Sequence, residues 1–356
     1  MIIMIHKLNI GIVGGSANPQ SWAIHSHIPA ILESPYCELI AVSTSNMESA
    51  KKAQQLFKTK YAYDNYEELI HNIEIDLVIV SVKVGEHYPI LKEALLQNKH
   101  VYSEWPLTTT IEQALELTEL AKEKQLHHFI GLQARQSQVI YDAQEFIKTK
   151  LGPIISVHMN VFTLGKGKTA TNRTEYQYRK DSGATLLDIN GGHSIDLLQF
   201  LLGTITKTKV ISLNNFNTIT NIENQTTFKQ VVPDSWEIIG TIEKTTPFHI
   251  SLRAGVKSQF QLTIEGENGR LILSQKDSVG HPQFGKLCIK KEVFDTFSQD
   301  TITESPLEMI SDYFIKIYHL IFNDITTNSY SLPNFETAYQ LQSILEDIKK
   351  EGLPFN

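Results

Sequence analysis

Leu8-Asn9-Ile10-Gly11-Ile12-Val13-Gly14-Gly15-Ser16-Ala17-Asn18-Pro19 is the stretch on which the fold turns. A short apolar run ends in paired glycines, the pattern of a strand buried on both faces that turns sharply at its carboxyl end. Similar runs follow at Glu38–Ser43, Asp76–Val82, His100–Glu104 and His128–Leu132. Between them, Ser45–Phe57, Glu86–Gln97 and Thr109–Lys124 carry apolar residues at helical spacing. Buried strands alternating with amphipathic helices predict a doubly wound parallel α/β sheet. Its ligand crevice lies outside the carboxyl ends of the strands.

The chain has 356 residues, too many for one ordinary core, so two domains are expected. The first covers 1–132. Beyond it, after a helix at Ser137–Lys148, the turn Leu151-Gly152-Pro153 opens a region of longer alternating strands at Ile154–Phe162, Ser235–Glu243, Phe248–Arg253 and Phe260–Ile264. Glu267-Asn268-Gly269 reads as a hairpin turn. This second domain, 133–356, is expected to be α+β with a large open mixed or antiparallel sheet and a tail helix over 334–350. Thr163–Thr174, rich in Gly, Thr and Lys, reads as a flexible surface connection, with a lid over the site as the alternative.

A formal charge of −7 without any Lys/Arg block argues against nucleic acid and anionic membrane as partners. No apolar run reaches the roughly 20 residues that span a bilayer. Cys37 and Cys288 lie far apart, which predicts neither disulfide framework nor metal site. The expectation is a cytoplasmic protein with a small-molecule substrate.

The candidate site residues sit at strand ends. Gly14, Gly15, Ser16 and Ala17 are small enough for the backbone to approach a pyrophosphate, although only the first glycine fits the G-x-G-x-x-G fingerprint. The second strand ends at Thr44 and Ser45 without the acid that selects NAD, so NADP is favoured over NAD, with Lys51 or Lys52 as counter-charges; Ser45 or Asn46 also reads as a helix cap. Lys83 and His87 follow the third buried run and point to the crevice; each reads equally as a solvated or structural residue. Ser103-Glu104 lies where the nicotinamide end is expected. In the second domain, Asp188, Gly191, Gly192, His193 and Asp196 converge on a helix start, and a histidine there suits the proton transfer that accompanies hydride transfer. Capping and packing is the plainer alternative.

Taken in order, these segments resemble the glucose-fructose oxidoreductase / inositol dehydrogenase / rhizopine catabolism (Gfo/Idh/MocA) family. The resemblance rests on the first strand and turn, Ile79–His87, Glu104-Trp105-Pro106-Leu107, Gly131-Leu132-Gln133-Ala134-Arg135, Gly191-Gly192-His193-Ser194-Ile195-Asp196 and Gly266–Leu271. It implies a Rossmann domain followed by a domain whose open sheet forms a homo-oligomer interface. It also implies hydride transfer between NAD(P) and a sugar, polyol or related carbohydrate-like compound. His193 and Asp188 would be catalytic, and Trp22, Val82, His87, Glu104, Trp105 and Arg135 would join the dinucleotide site.

Two departures stand out. The family's Glu-Lys-Pro lysine is here Trp105, whose indole cannot exchange that proton; Lys83, Tyr176 or Tyr178 are candidate replacements. Asp188 also precedes His193 by one residue more than the family's spacing. The sequence is nearest to the family's fungal galactose-regulon repressor-like branch, similar at Trp22, His27–Leu32, Val84–Tyr88, Glu104-Trp105 and Val232-Pro233-Asp234. That branch implies the alternative function, a catalytically silent NAD(P)-binding regulator.

Overall fold

A computed structural model describes residues 7–275, 279–283, 285–294, 301–304 and 310–352. The chain divides into two compact units: Met1–Leu132 with Met309–Gln340, and Gln133–Glu308 with Leu341–Asn356.

The first unit is built on six parallel strands: β1 Leu8–Val13, β2 Cys37–Ser43, β3 Tyr61–Tyr63, β4 Leu77–Val80, β5 His100–Glu104 and β6 His128–Gly131. Their order is β3-β2-β1-β4-β5-β6. Chain order reverses between β1 and β4, so the carboxyl ends of these two strands form the switch-point crevice of a Rossmann sheet. The burial that the apolar runs predict is complete in β4, where every residue is buried. The helix Met47–Phe57 begins on Asn46, whose side chain accepts from Ser49 N, and buries Ala50, Ala53 and Phe57.

One segment expected in the second domain returns to the first unit. The helix Ile310–Thr327 buries Phe314, Ile317, Tyr318 and Ile321 in the same core as Ala23, Ile28 and Ile31. Its apolar stripe needs a partner face, and the helices Trp22–His25 and His27–Glu33 supply one.

The second unit carries strands β7 Ile154–Thr163, β8 Thr169–Ala170, β9 Ile205–Leu213, β10 Thr218–Asn221, β11 Thr227–Lys229, β12 Ser235–Ile242, β13 Thr246–Ala254, β14 Gln259–Gly266, β15 Gly269–Gln275, β16 Leu287–Val293 and β17 Thr301–Glu304. Eight of them form a mixed sheet in the order β17-β16-β15-β14-β7-β13-β12-β9, with β7 and β13 parallel and the other pairs antiparallel. The predicted hairpin turn joins β14 to β15. One face carries the helix Gln138–Lys150, packed on β15 and β16, and the turn Leu187–Gly191, packed on β13. The other face leaves Ile211, Leu213 and Ile239 54, 56 and 51% exposed.

Candidate functional site

In the first unit, β1 runs into Gly14, which adopts φ +92°. A Cβ there would lie 2.2 Å from the Ser81 carbonyl oxygen, so the turn after β1 and the end of β4 approach more closely than any side chain allows. Gly14 N donates to Ser43 O and Ser16 N to Gly14 O, which folds the turn back over the ends of β1 and β2. Gly15 is buried against Val42, while Ser16 and Ala17 are half-buried. Gly14→Ala is expected to cost at least the ~1–3 kcal/mol of a disallowed backbone conformation, before the clash with Ser81. A urea midpoint equal to that of the parent would contradict this.

At the end of β2, Thr44 Oγ1 donates to Asn46 O, and Ser45 is exposed. Glu48 is bound to Lys52 at 2.7 Å, and Lys51 Nζ donates to Gln54 Oε1 at 3.1 Å. The carboxyl end of β2 therefore presents hydroxyls and an amide cap rather than an acid.

Trp22 and Glu104 meet each other: the indole Nε1 donates to Glu104 Oε1 at 2.9 Å. His27 is fully buried, with Nε2 2.6 Å from the same oxygen and Nδ1 2.6 Å from the Tyr318 hydroxyl. The arrangement that satisfies all three groups has Nε2–H donating to Glu104 and Nδ1 accepting from Tyr318, an assignment made from the partners. The network explains why a polar trio tolerates burial: every member is bonded. His27 appeared in the sequence only within a motif, because its partners lie 77 and 291 residues away.

His87 is 1% exposed, with Nε2 3.1 Å from Val82 O and Nδ1 3.0 Å from Pro106 O. Burial pulls its pKa below the ordinary histidine value, while the carbonyl contacts push the other way. The Ser103 hydroxyl also lies 3.3 Å from Nδ1, and together these contacts let His87 tie the loop after β4 to the loop after β5. Lys83 is exposed at the start of the short turn Val84–Glu86. Trp105 is 5% exposed and precedes Pro106 through a cis bond.

The second unit holds a separate cluster. Arg135 makes a bidentate pair with Asp196, Nε to Oδ2 at 3.0 Å and Nη2 to Oδ1 at 2.5 Å, and lies over the Phe200 ring. Leu187–Gly191 is a single π-helical turn leading into the helix Gly192–Leu202. A π-turn accommodates one extra residue, which absorbs the longer spacing from Asp188 to His193. The Asp188 carboxylate accepts from Thr185 N and Oγ1 and pairs with Lys349 at 2.7 Å. Burial raises the Asp188 pKa, but Lys349 and Thr185 outweigh it and hold the carboxyl below its ordinary value.

His193 is 2% exposed, and its Nε2 has no hydrogen-bond partner among the described residues. Its ring stacks on His281 at 5.9 Å between centroids. Burial and the neighbouring His281 push its pKa well below the ordinary histidine value, so the imidazole is neutral at pH 7. Lys166 brings its amine to the carbonyls of Ala184 and Thr185. Sequence reading passed it over, because a lysine between glycines reads as surface loop. The Tyr178 hydroxyl donates to Gly167 O and Thr169 O, and Tyr176 is half-buried.

Among the described residues no helix is long and apolar enough to cross a membrane, and no group of three or more His, Cys, Asp or Glu is placed to hold a metal ion.

Comparison with known proteins gives two domain matches. The oxidoreductase family with an NAD-binding Rossmann fold (Gfo/Idh/MocA) matches residues 8–132, and the Gal80p C-terminal domain matches residues 138–275. The chain is 30% identical to the galactose/lactose metabolism regulatory protein GAL80 of Kluyveromyces lactis, over 68% of this chain and 54% of the relative. It is 29% identical to the dehydrogenase aclE of Aspergillus oryzae, over 57% of each. The chain thus spans little more than half the length of these relatives. Among solved structures, a super-repressor mutant of Gal80p from Saccharomyces cerevisiae superposes with TM-score 0.87 at 22% identity, covering 97% of this chain and 96% of that one. Levoglucosan dehydrogenase in complex with NADH and L-sorbose superposes with TM-score 0.83 at 16% identity, covering 97 and 96%. At these identities the superpositions establish the fold.

Proposed function

The chain belongs to the Gfo/Idh/MocA oxidoreductase family with its NAD-binding Rossmann domain, and from that premise we propose that it is an NAD(P)-dependent oxidoreductase. Its substrate would be a sugar, polyol or related small hydroxy compound. The observation that carries this reading is His193, a neutral imidazole whose Nε2 has no hydrogen-bond partner among the described residues. A base for a hydroxyl proton needs a neutral ring with a nitrogen to accept on; burial keeps this ring neutral, and Nε2 has no bond among the described residues to give up.

The turn after β1 suits a dinucleotide, since Gly14 lets the backbone fold close against the end of β4 and the residues Gly14–Ala17 carry only small side chains where a pyrophosphate would approach. Gly14–Ala17 would hold the pyrophosphate, and Thr44 and Ser45 the adenosine ribose. When bound, the nicotinamide supplies the hydride acceptor or donor. The protein's part is to hold the substrate, exclude water and take the hydroxyl proton on His193.

We read the cofactor preference as NADP, because the end of β2 offers hydroxyls and Lys51 but no free acid. Ser45→Asp is expected to weaken NADP relative to NAD by about tenfold, a difference of ~1.4 kcal/mol. Titration calorimetry with both dinucleotides reads the ratio; an equal change for the two would remove Ser45 from the ribose site. Ile211, Leu213 and Ile239 on the open sheet face support homo-oligomerisation there, and free Cys37 and Cys288 suit the cytoplasm.

The second reading, a silent dinucleotide-binding regulator, is favoured by Trp105, which removes the family's proton-transferring amine. The two separate by reduced-nicotinamide absorbance across a panel of sugars and polyols, in both directions. Turnover supports the oxidoreductase. Stoichiometric cofactor binding without any turnover would leave the regulator.

A further inference from the structure

The second unit holds a cavity that neither the dinucleotide nor the hydride chemistry uses. Its volume is about 360 Å³, within the ~300–1,000 Å³ of small-molecule sites. The apolar wall is Val231, Val232 and Pro233, in the loop before β12, and Trp236 on β12 itself. None of the residues assigned above to the dinucleotide or to the hydroxyl proton lines it.

Hydrogen bonds tie the walls together. Asp234, 1% exposed, donates its N–H to Leu213 O at the end of β9. Its carboxylate accepts from Asn215 N, Asn215 Nδ2 and Phe216 N at 2.9, 2.8 and 2.9 Å. These bonds fasten the loop that carries Val231–Pro233 to the segment after β9. On the other side, Gly352 follows the helix Phe335–Glu351 and accepts from Ser212 Oγ. A Cβ at Gly352 would lie 2.6 Å from Trp236 Cζ3, so the chain closes on one edge of the indole. A site held in this way is formed before a ligand arrives.

The polar groups on the wall have donors left over. Ser212, Thr185 and Asn214 already donate to Gly352 O, Asp188 and Gln230 O. Trp236 is 4% exposed, and its Nε1 has no hydrogen-bond partner among the described residues. Buried side-chain donors are nearly always paired, so an orphan in the wall of a cavity marks a place for an acceptor. Lys349 gives two of its three N–H groups to Asp188 and Glu346, both at 2.7 Å. Those two carboxylates neutralise it without lining the cavity. Lys180 makes no ion pair or hydrogen bond among the described residues, so its ammonium is the uncompensated charge on the wall.

We propose that this cavity binds a small monocarboxylate with a compact apolar body, of the arylpropionate or branched aliphatic kind. The apolar body answers the aliphatic wall and the indole ring. The acceptor oxygens answer the donors of Trp236 and Lys349, and the single negative charge answers Lys180. A phosphate monoester or a dicarboxylate would bring a second charge close to Asp188 and Glu346. A sugar would press hydroxyls against carbon without partners.

The test uses the full chain, labelled with ¹⁵N at tryptophan, and follows the indole N–H resonances of Trp22, Trp105 and Trp236 by NMR. Trp236→Phe identifies the Trp236 signal by its loss. Titration with 3-phenylpropionate is expected to move that signal downfield, as an N–H that gains an acceptor does, and to leave the other two in place. Lys180→Gln changes an exposed side chain, so the fold is kept. It should weaken 3-phenylpropionate about tenfold, near the low end of what a hydrogen bond to a charged group contributes. The uncharged 3-phenylpropionamide should bind the parent more weakly than the acid does, and the parent and Lys180→Gln equally.

A Trp236 signal that stays in place with 3-phenylpropionate, benzoate and isovalerate alike overturns the proposal. So does an affinity for the acid that Lys180→Gln leaves unchanged, or a tighter complex with phenyl phosphate or phthalate than with the monocarboxylates. The measurement needs neither dinucleotide nor turnover, so its outcome is separate from that of the oxidoreductase reading.

Discussion

Replacing His193 with glutamine is expected to lower kcat by about 10²–10⁴-fold, the loss typical of one acid/base group. Dinucleotide affinity should not move. Glutamine approximates the ring's size and keeps a hydrogen-bonding end, but its amide neither accepts nor returns a proton at neutral pH. The variant also keeps the helix start intact, because the contacts of the Gly192–Leu202 helix lie on Asp196 with Arg135 and on Ser194 Oγ with Asn190 O. Steady-state kinetics beside titration calorimetry of the dinucleotide decide the matter. A variant with parental kcat would remove His193 from the chemistry, and one that loses dinucleotide affinity would assign it to binding.

Lys349→Met is expected to destabilise the second unit by about 3 kcal/mol, the lower end of the cost of stranding one partner of a buried ion pair. The Asp188 side chain is 6% exposed and that of Lys349 31%, so the loss falls mainly on a carboxylate left in the interior without its paired amine. The sign with pH follows from the direction of the shift. The carboxyl of Asp188 is held below its ordinary value of 3.8 in the folded chain. The stability it contributes is therefore present above that value and is lost as pH falls through the lower, folded-state value. Without Lys349 the folded-state pKa rises, and Asp188 protonates at milder acidity. The gap between parent and variant in urea denaturation should accordingly be widest near neutrality and narrow in acid. A gap that is the same at both pH values would mean that Asp188 does not carry the effect.

How much of this was legible in the sequence depends on the range of the interaction. Strands such as β4 declare themselves because burial on both faces leaves an uninterrupted apolar run, and the β14–β15 hairpin does so through Glu267-Asn268. Strand β3 has three half-buried residues and no apolar run, so nothing local marks it. The helix Ile310–Thr327 shows an apolar stripe but not the face it covers, which lies almost 300 residues earlier in the chain.

The same limit applies to the sites. Gly14 was readable because a turn at a strand end demands it. The mutual engagement of Trp22, His27 and Glu104, and of Arg135 with Asp196, depends on residues tens of positions apart. The extra residue between Asp188 and His193 is a discrepancy in sequence and a π-turn in structure. Lys166 was illegible for a different reason: its Gly-Lys-Gly setting reads as a solvated loop until the anchors to Gly255 and Ser258 are seen.

The most direct test of the oxidoreductase account is label transfer. The purified chain is incubated with oxidised NADP or NAD and a panel of polyols and sugars deuterated at their carbinol carbons, and the nicotinamide is analysed by mass spectrometry. The account predicts reduced cofactor carrying the deuterium with at least one substrate, and loss of that label in His193→Gln. Cofactor that binds stoichiometrically yet returns oxidised and unlabelled with every compound would contradict it, and would leave a protein that holds the dinucleotide without using it.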